Sequence, residues 1–222
     1  MDALRETTRR LNQSAPLLPG GGATFRVHYW GANGQHYDNP VHKHSFFEAC
    51  YVIGGEGVYE ENAAVFPLRA GTLFLSRPGV VHQIRSETGL ALLYVAFEID
   101  EANTSAVESE RFRLLARDAE PCIAEAGDSP TALLWRSLVS PERPQWRLSD
   151  EAVVSAAHAL IRSFADLFSP QISAGKGRSG RSSELLLSRA KMYIRDNLDR
   201  PISLAQVAAY LNVSERHISR LF

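Results

Sequence analysis

The stretch from Ile202 to Phe222 allows few folds, because it spells out a capped helix twice within twenty-one residues. Ser203 is placed to cap a first helix, Gln206 to return the hydrogen bond, and Ile202 and Val207 to close the apolar staple around its start. Ser214 repeats the arrangement, with Val213 and Ile218 at the stapling positions and Glu215 where the helix dipole favours negative charge. Val207, Leu211, Val213, Ile218 and Leu221 form an apolar seam between the two helices. Ala208 is small where their axes would cross, and Asn212 tolerates the left-handed conformation of a sharp turn. An ordinary pair of antiparallel helices shares the caps and the seam but needs neither of those two residues, so the pattern reads as a helix-turn-helix. On its second helix Arg216, Ser219 and Arg220 lie off the Ile218 face. Arg can take a guanine edge in a bidentate contact.

Charge supports that placement. From Gln171 to Phe222 there are nine Lys and Arg against four acids, leaving fifteen against twenty-one on the rest of the chain. A basic tail on an acidic body suits one part meeting phosphate while the other avoids it. The 222 residues hold enough apolar side chains for a core and a small second domain, and the longest apolar run, Gly89 to Phe97, is too short to cross a bilayer. The start has no signal-peptide core, and Cys50 and Cys122 are too few for a disulfide scaffold. A reducing cytoplasm is the expected home.

Ahead of the tail the period changes to two. Runs at 24–30, 46–53, 58–61, 64–68, 72–76, 82–86 and 90–99 are separated by turn signals rather than by crossover helices, which argues for an antiparallel sandwich or barrel. In the first run Phe25, Val27 and Tyr29 alternate with Arg26, His28 and Trp30. In the second, His42, His44 and Glu48 share even numbering with Phe46, Cys50 and Val52, so on an extended strand they face one way; His82 brings a further imidazole after Arg-Pro-Gly-Val-Val. Imidazole and carboxylate suit Fe, Mn, Ni or Zn, and equally suit hydrogen bonds to a small effector. The candidate effector pocket is His42, His44, Glu48 and His82, with Trp30 and Arg26 on a face that reaches it; no catalytic residue is assigned.

Helical patterns follow. Ser129 caps a run through Leu138, stopped by Pro141 and Pro144. Ser149 opens the clearest helix of the middle, whose stripe Val153, Ala157, Leu160, Phe164 and Leu167 either seats a partner helix or packs on the barrel. Residues 169–183 read as a Gly/Ser linker with basic residues, and a supporting helix from about Glu184 to Asp199 precedes the helix-turn-helix. The expected class is α+β: an arm over 1–23, loose because of Pro16, Pro19 and three glycines; an antiparallel barrel over 24–100; helices over 101–168; a linker over 169–183; and an all-α unit over 184–222.

Two resemblances follow from these residues. The segment PISLAQVAAYLNVSERHISRLF resembles the first helix-turn-helix of the AraC family of transcription regulators, and His42, His44, Glu48, Gly55 and the Pro-Gly-Val-Val-His ending at His82 are similar to the cupin signature. The chain departs from that signature in lacking a glycine before the first His and in carrying Ser86 where an Asn is usual. The resemblance implies a cytoplasmic regulator in which a small effector, such as a sugar, sits in a cupin-like barrel and controls DNA reading by Ser214, Arg216, Ser219 and Arg220. It also implies a homodimer formed through the helices after the barrel, with double-stranded DNA as partner. The family carries two helix-turn-helix units and this sequence stops after the first, so weak or absent specific DNA binding is expected of the 222 residues alone. The competing expectations are a metal-dependent cupin enzyme, an oxygenase or isomerase, and a short decoy that pairs with a full-length relative.

Overall fold

A fifteen-residue strand, β3 (Phe47–Glu61), is the spine of the first part of the chain, because its two halves pair with different neighbours. The computed structural model describes residues 2–140, 148–169, 179–196, 201–211 and 213–220. They divide into two units, Met1–Pro170 and Gln171–Phe222, each considered by itself.

In the first unit a helix, α1 (Asp2–Ser14), leads into β1 (Leu17–Gly20) and β2 (Ala23–His36). After β3 come β4 (Ala64–Arg69), β5 (Leu73–Ser76), β6 (His82–Arg85) and β7 (Leu90–Ile99). Then follow α2 (Ala106–Asp118), β8 (Cys122–Ile123), α3 (Pro130–Leu138) and α4 (Asp150–Phe168). All strand pairs are antiparallel, in the order β1-β2-β7-β3-β5-β8, with β4 and β6 on the far half of β3. Residues Phe47 to Tyr51 pair with β7 and β5, and Val58 to Glu61 with β4 and β6, so one strand passes through both layers. The bend lies at Gly54 and Gly55. Gly55 takes φ +81°, and a Cβ there would stand 2.1 Å from the Gly89 carbonyl oxygen.

Alternation along β3 sorts the core into two. Phe47, Ala49 and Tyr51 face the helices, joining Phe25, Phe97, Phe112, Trp135, Phe164 and Phe168 in the larger cluster. Cys50 and Val52 face inward, against Tyr59, Leu68, Phe74, Ile84, Leu90 and Leu92. The stripe on α4 is spent here: Val153, Ala157, Leu160 and Phe164 are buried within one chain, so it packs on the barrel and is not the seam for a partner helix.

The loose arm expected over 1–23 is instead folded. Leu11, Ala15 and Leu18 are fully buried, and β1 pairs with β2. Asn12 fixes the helix to the sheet, its amide donating to the Trp30 carbonyl oxygen at 2.8 Å and its Oδ1 accepting from the Trp30 N–H at 2.9 Å. Three leucine and alanine positions outweigh the turn-rich composition that suggested mobility.

The second unit has α5 (Ser179–Asp196), α6 (Leu204–Leu211) and α7 (Glu215–Ile218). α5 begins at Ser179, inside the span expected to be linker; residues 170–178 of that span lie outside the described residues. Ser203 and Gln206 form the reciprocal cap, the Ser203 N–H donating to Gln206 Oε1 at 2.8 Å and Ser203 Oγ accepting from the Gln206 N–H at 3.3 Å. Val207, Ala208, Leu211 and Ile218 are buried with Ala190 on α5. Asn212, Leu221 and Phe222 lie outside the described residues.

Candidate functional site

His42 and His44 do not sit on the strand that their even numbering suggested. β3 starts only at Phe47, and both imidazoles stand on the preceding loop. What brings them in is an isolated bridge, in which the His42 N–H donates to the His82 carbonyl oxygen at 3.1 Å and the His82 N–H to that of His42 at 2.9 Å. Ring centroids are then 4.4 Å apart for His42 and His82, and 4.9 Å for His44 and His82. Phe46 stacks on His44 at 4.3 Å and fixes its plane.

The tautomers follow from the local bonds. Nδ1 of His42 lies 2.8 Å from the Pro40 carbonyl oxygen, Nδ1 of His44 2.7 Å from that of Phe46, and Nδ1 of His82 3.0 Å from that of Val80. A carbonyl only accepts, so each Nδ1 carries the proton and each Nε2 keeps a lone pair. The Nε2 atoms of His44 and His82 are buried without a hydrogen-bond partner. Burial is the chief cause holding both imidazoles below their ordinary pKa, which keeps them neutral near pH 7.

One ring nitrogen from each of the three histidines lies within 4.8 Å of the other two. Bonds of about 2.1 Å to a common ion need donor separations of roughly 3–3.5 Å, a gap that small side-chain rotations close. Histidine ligands in metal sites characteristically give their second N–H to a carbonyl, as all three do here. The triad therefore fits a divalent cation of the Zn, Ni, Fe or Mn kind, with positions left for an exogenous ligand.

Glu48 does not join that group. It projects inward from β3, and its Oε1 accepts from the Tyr29 hydroxyl at 2.6 Å. Its carboxylate still acts electrostatically on His44, His82, His36 and Tyr94. Tyr29, Tyr94 and His36 were not among the sequence candidates. Tyr94 was legible, since it follows Leu90 and Leu92 on the inward parity of β7. It lies across from Gly31, whose missing side chain makes room: a Cβ there would meet the Tyr94 ring at 2.1 Å. The His36 Nε2 is also buried and unpartnered.

Trp30 and Arg26 leave the site. Val27 pairs with Phe97 and Tyr29 with Ala96, so His28 is an extra residue in the ladder and the parity of β2 reverses there. Trp30 turns to the helix side, 3% exposed, with Nε1 donating to the Ala15 carbonyl oxygen at 3.4 Å, and Tyr29 turns to the pocket in its place. Arg26 is exposed and pairs with Glu98 and Asp100. A cavity of about 240 Å³ adjoins the triad at His82, bounded by Val41, Val65 and Val81 and by Glu60 and Glu61 of the β3–β4 hairpin.

In the second unit Arg216, Ser219 and Arg220 are exposed on and just after α7. Ser214 is exposed as well, its Oγ capping α7 by accepting from the His217 N–H at 3.2 Å. No described helix is long and apolar enough to cross a membrane.

A cupin-like barrel with a polar inner end, followed in sequence by a helix-turn-helix, is the build of a ligand-responsive transcription regulator. Comparison with known proteins agrees. Residues 22–189 match the family described as the AraC-like ligand binding domain. Over 214 residues the chain is 40% identical to the uncharacterized HTH-type transcriptional regulator YfiF of Bacillus subtilis (strain 168), covering 96% of this chain and 68% of that protein. Among solved structures, the AraC-like transcriptional activator CuxR aligns over 98% of this chain and 83% of its own, at 14% identity and a TM-score of 0.45. ToxT from Vibrio cholerae aligns over 89% and 74%, at 8% identity and a TM-score of 0.38. The chain belongs to the AraC-type transcriptional regulators, carrying that family's ligand-binding domain. It is a regulator and not the cupin enzyme that the histidine motif alone left open.

Proposed function

We propose that this regulator binds a small-molecule effector at the inner end of its barrel through a divalent cation held by His42, His44 and His82, and that effector binding controls how the helix-turn-helix meets DNA. The observation that carries the reading is the set of three imidazoles whose Nδ1 atoms are tied to loop carbonyls, two of them with buried, unpartnered Nε2 atoms. A barrel without a ligand there leaves polar atoms buried and unsatisfied, at about 1–3 kcal/mol each. Arg216, Ser219 and Arg220 are the side chains proposed to read base edges, with Ser214 setting the helix start and available to a phosphate. A homodimer is retained from the family resemblance alone, since the α4 stripe that suggested a seam is buried within one chain.

The test is metal uptake by the chelator-stripped chain in equilibrium dialysis against Zn²⁺, Ni²⁺, Mn²⁺ and anaerobic Fe²⁺. One equivalent at micromolar free metal, lost in His44→Ala and His82→Ala, is the expected result. Absence of uptake of every metal, together with effector affinity unchanged by both substitutions, would move the site elsewhere. Absence of uptake with effector affinity lost would mean that the imidazoles contact the effector directly.

A further inference from the structure

Charge at the inner end of the barrel limits what kind of molecule completes it. With each Nδ1 proton given to a carbonyl, the three imidazoles can meet a cation only through an Nε2 lone pair, as neutral ligands that bring it no negative charge. The carboxylate that acts on His44 and His82, Glu48, stands outside the donor group and is held by the Tyr29 hydroxyl at 2.6 Å. We infer, on the reading of the triad as a cation site, that the effector is a small anionic oxygen chelator of the 2-hydroxy or 2-oxo carboxylate class, with Glu48 a neighbouring carboxylate and not a ligand.

A divalent ion on three neutral ligands keeps both its charges, and Glu48 nearby offsets one of them. Unbalanced charge away from water is costly, so a ligand that brings negative charge is favoured over a neutral polyol of the same size. Where the ion takes more than four ligands, an oxygen on the carbon next to a carboxylate lets one small molecule fill two of the positions that a three-histidine set leaves open. The phenols of Tyr29 and Tyr94, which burial keeps protonated, face the same interior as Glu48 and remain hydroxyl groups for a polar ligand.

Metal content is measured first, then calorimetric titration of the metal-loaded 222-residue chain with acids in matched pairs: lactate and propionate, malate and succinate, 2-oxoglutarate and glutarate, with glucose as the neutral control. The expected result is that in at least one pair the member carrying the extra oxygen binds tenfold or more tightly than its partner, and that this binding disappears when the metal is stripped. Glu48→Gln keeps an acceptor for Tyr29 but removes a negative charge; it is expected to tighten acid binding severalfold and to retain the metal. Equal binding within every pair, acid binding that survives metal removal, preference for glucose, or loss of metal in Glu48→Gln each overturns the inference while leaving the cation reading standing. A chain that takes up no metal fails at the first step, and both readings fall together.

Discussion

The sheet formed by β2, β7 and β3 has two faces, and they are built by opposite rules. On the helix side nearly everything is apolar and ring packs on ring: Phe25 meets Phe97 edge-on at 6.1 Å, Phe47 stacks on Phe97 at 5.4 Å, and Trp135 and Phe164 close the layer from the helices. The inner face begins the same way, with Val52, Leu90 and Leu92, and then turns polar toward the loop that carries His42 and His44. There the chain keeps three unpartnered ring nitrogens, on His36, His44 and His82, beside a carboxylate. Folding stability explains the first face, because burial and packing reward each side chain on it. It does not explain the second, where apolar residues of similar volume would cost less. A region kept at the expense of stability is where a ligand is to be sought.

The comparison breaks most readily on its apolar side. Phe164→Ala removes a fully buried ring from the helix-facing layer and should cost about 3–5 kcal/mol in urea unfolding, while the fraction that remains folded keeps its metal uptake. A loss below about 1 kcal/mol would mean that the layer is not the stabilising core. His82→Ala sharpens the other side. At free metal 100 times Kd the wild-type chain should gain about 2.7 kcal/mol from binding, and the variant should gain none. If thermal unfolding shows the same metal-dependent rise in both, the cation sits away from His82.

How much of this was legible in the residues divides along the same line. Caps are local, so Ser203 with Gln206, and Ser214 and Ser129, could be read from residues three apart, and each makes its bond. The inward set Glu48, Cys50 and Val52 was legible for a similar reason, since a strand repeats every two residues. The site as a whole was not. Its histidines converge through a bridge between a loop and β6, forty residues apart in sequence, which no periodicity encodes. One extra residue at His28 exchanged Tyr29 for Trp30, because a bulge inverts every assignment beyond it. The folded α1 arm escaped for another reason: Pro16 and the glycines suggested mobility, whereas the decisive contacts, Asn12 on the Trp30 backbone and Leu11 in the core, are tertiary.

Tyr29→Phe addresses the polar end by itself. It deletes the hydroxyl that holds Glu48 and leaves the ring, which packs edge-on against Tyr94 at 6.0 Å. Tyr29 is 37% exposed, so solvent screens the bond, and the loss should be about 1 kcal/mol. Metal affinity is expected to rise in this variant, since a freed carboxylate can move toward the cation; a fall would show that Tyr29 supports the triad directly.

The smallest effect is one of pH, and its sign separates the two faces. Burial depresses the pKa of His36, His44 and His82 below the ordinary value of 6.5, with Glu48 opposing the shift in each and Asp38 opposing it at His36. Above that value the three are neutral in both the folded and the unfolded chain and add no slope. As pH falls below it, the unfolded chain takes up protons that the folded chain refuses, so the metal-free protein loses stability on acidification. Bound metal should steepen the loss, because protons and cation compete for the same Nε2 atoms. Phe164 has no titratable group, so Phe164→Ala should lower stability by about the same amount at every pH, and His82→Ala should flatten the acid limb. An acid limb unchanged in His82→Ala would show that His82 takes no part in the proton uptake and would assign it to His44, His36 or groups elsewhere.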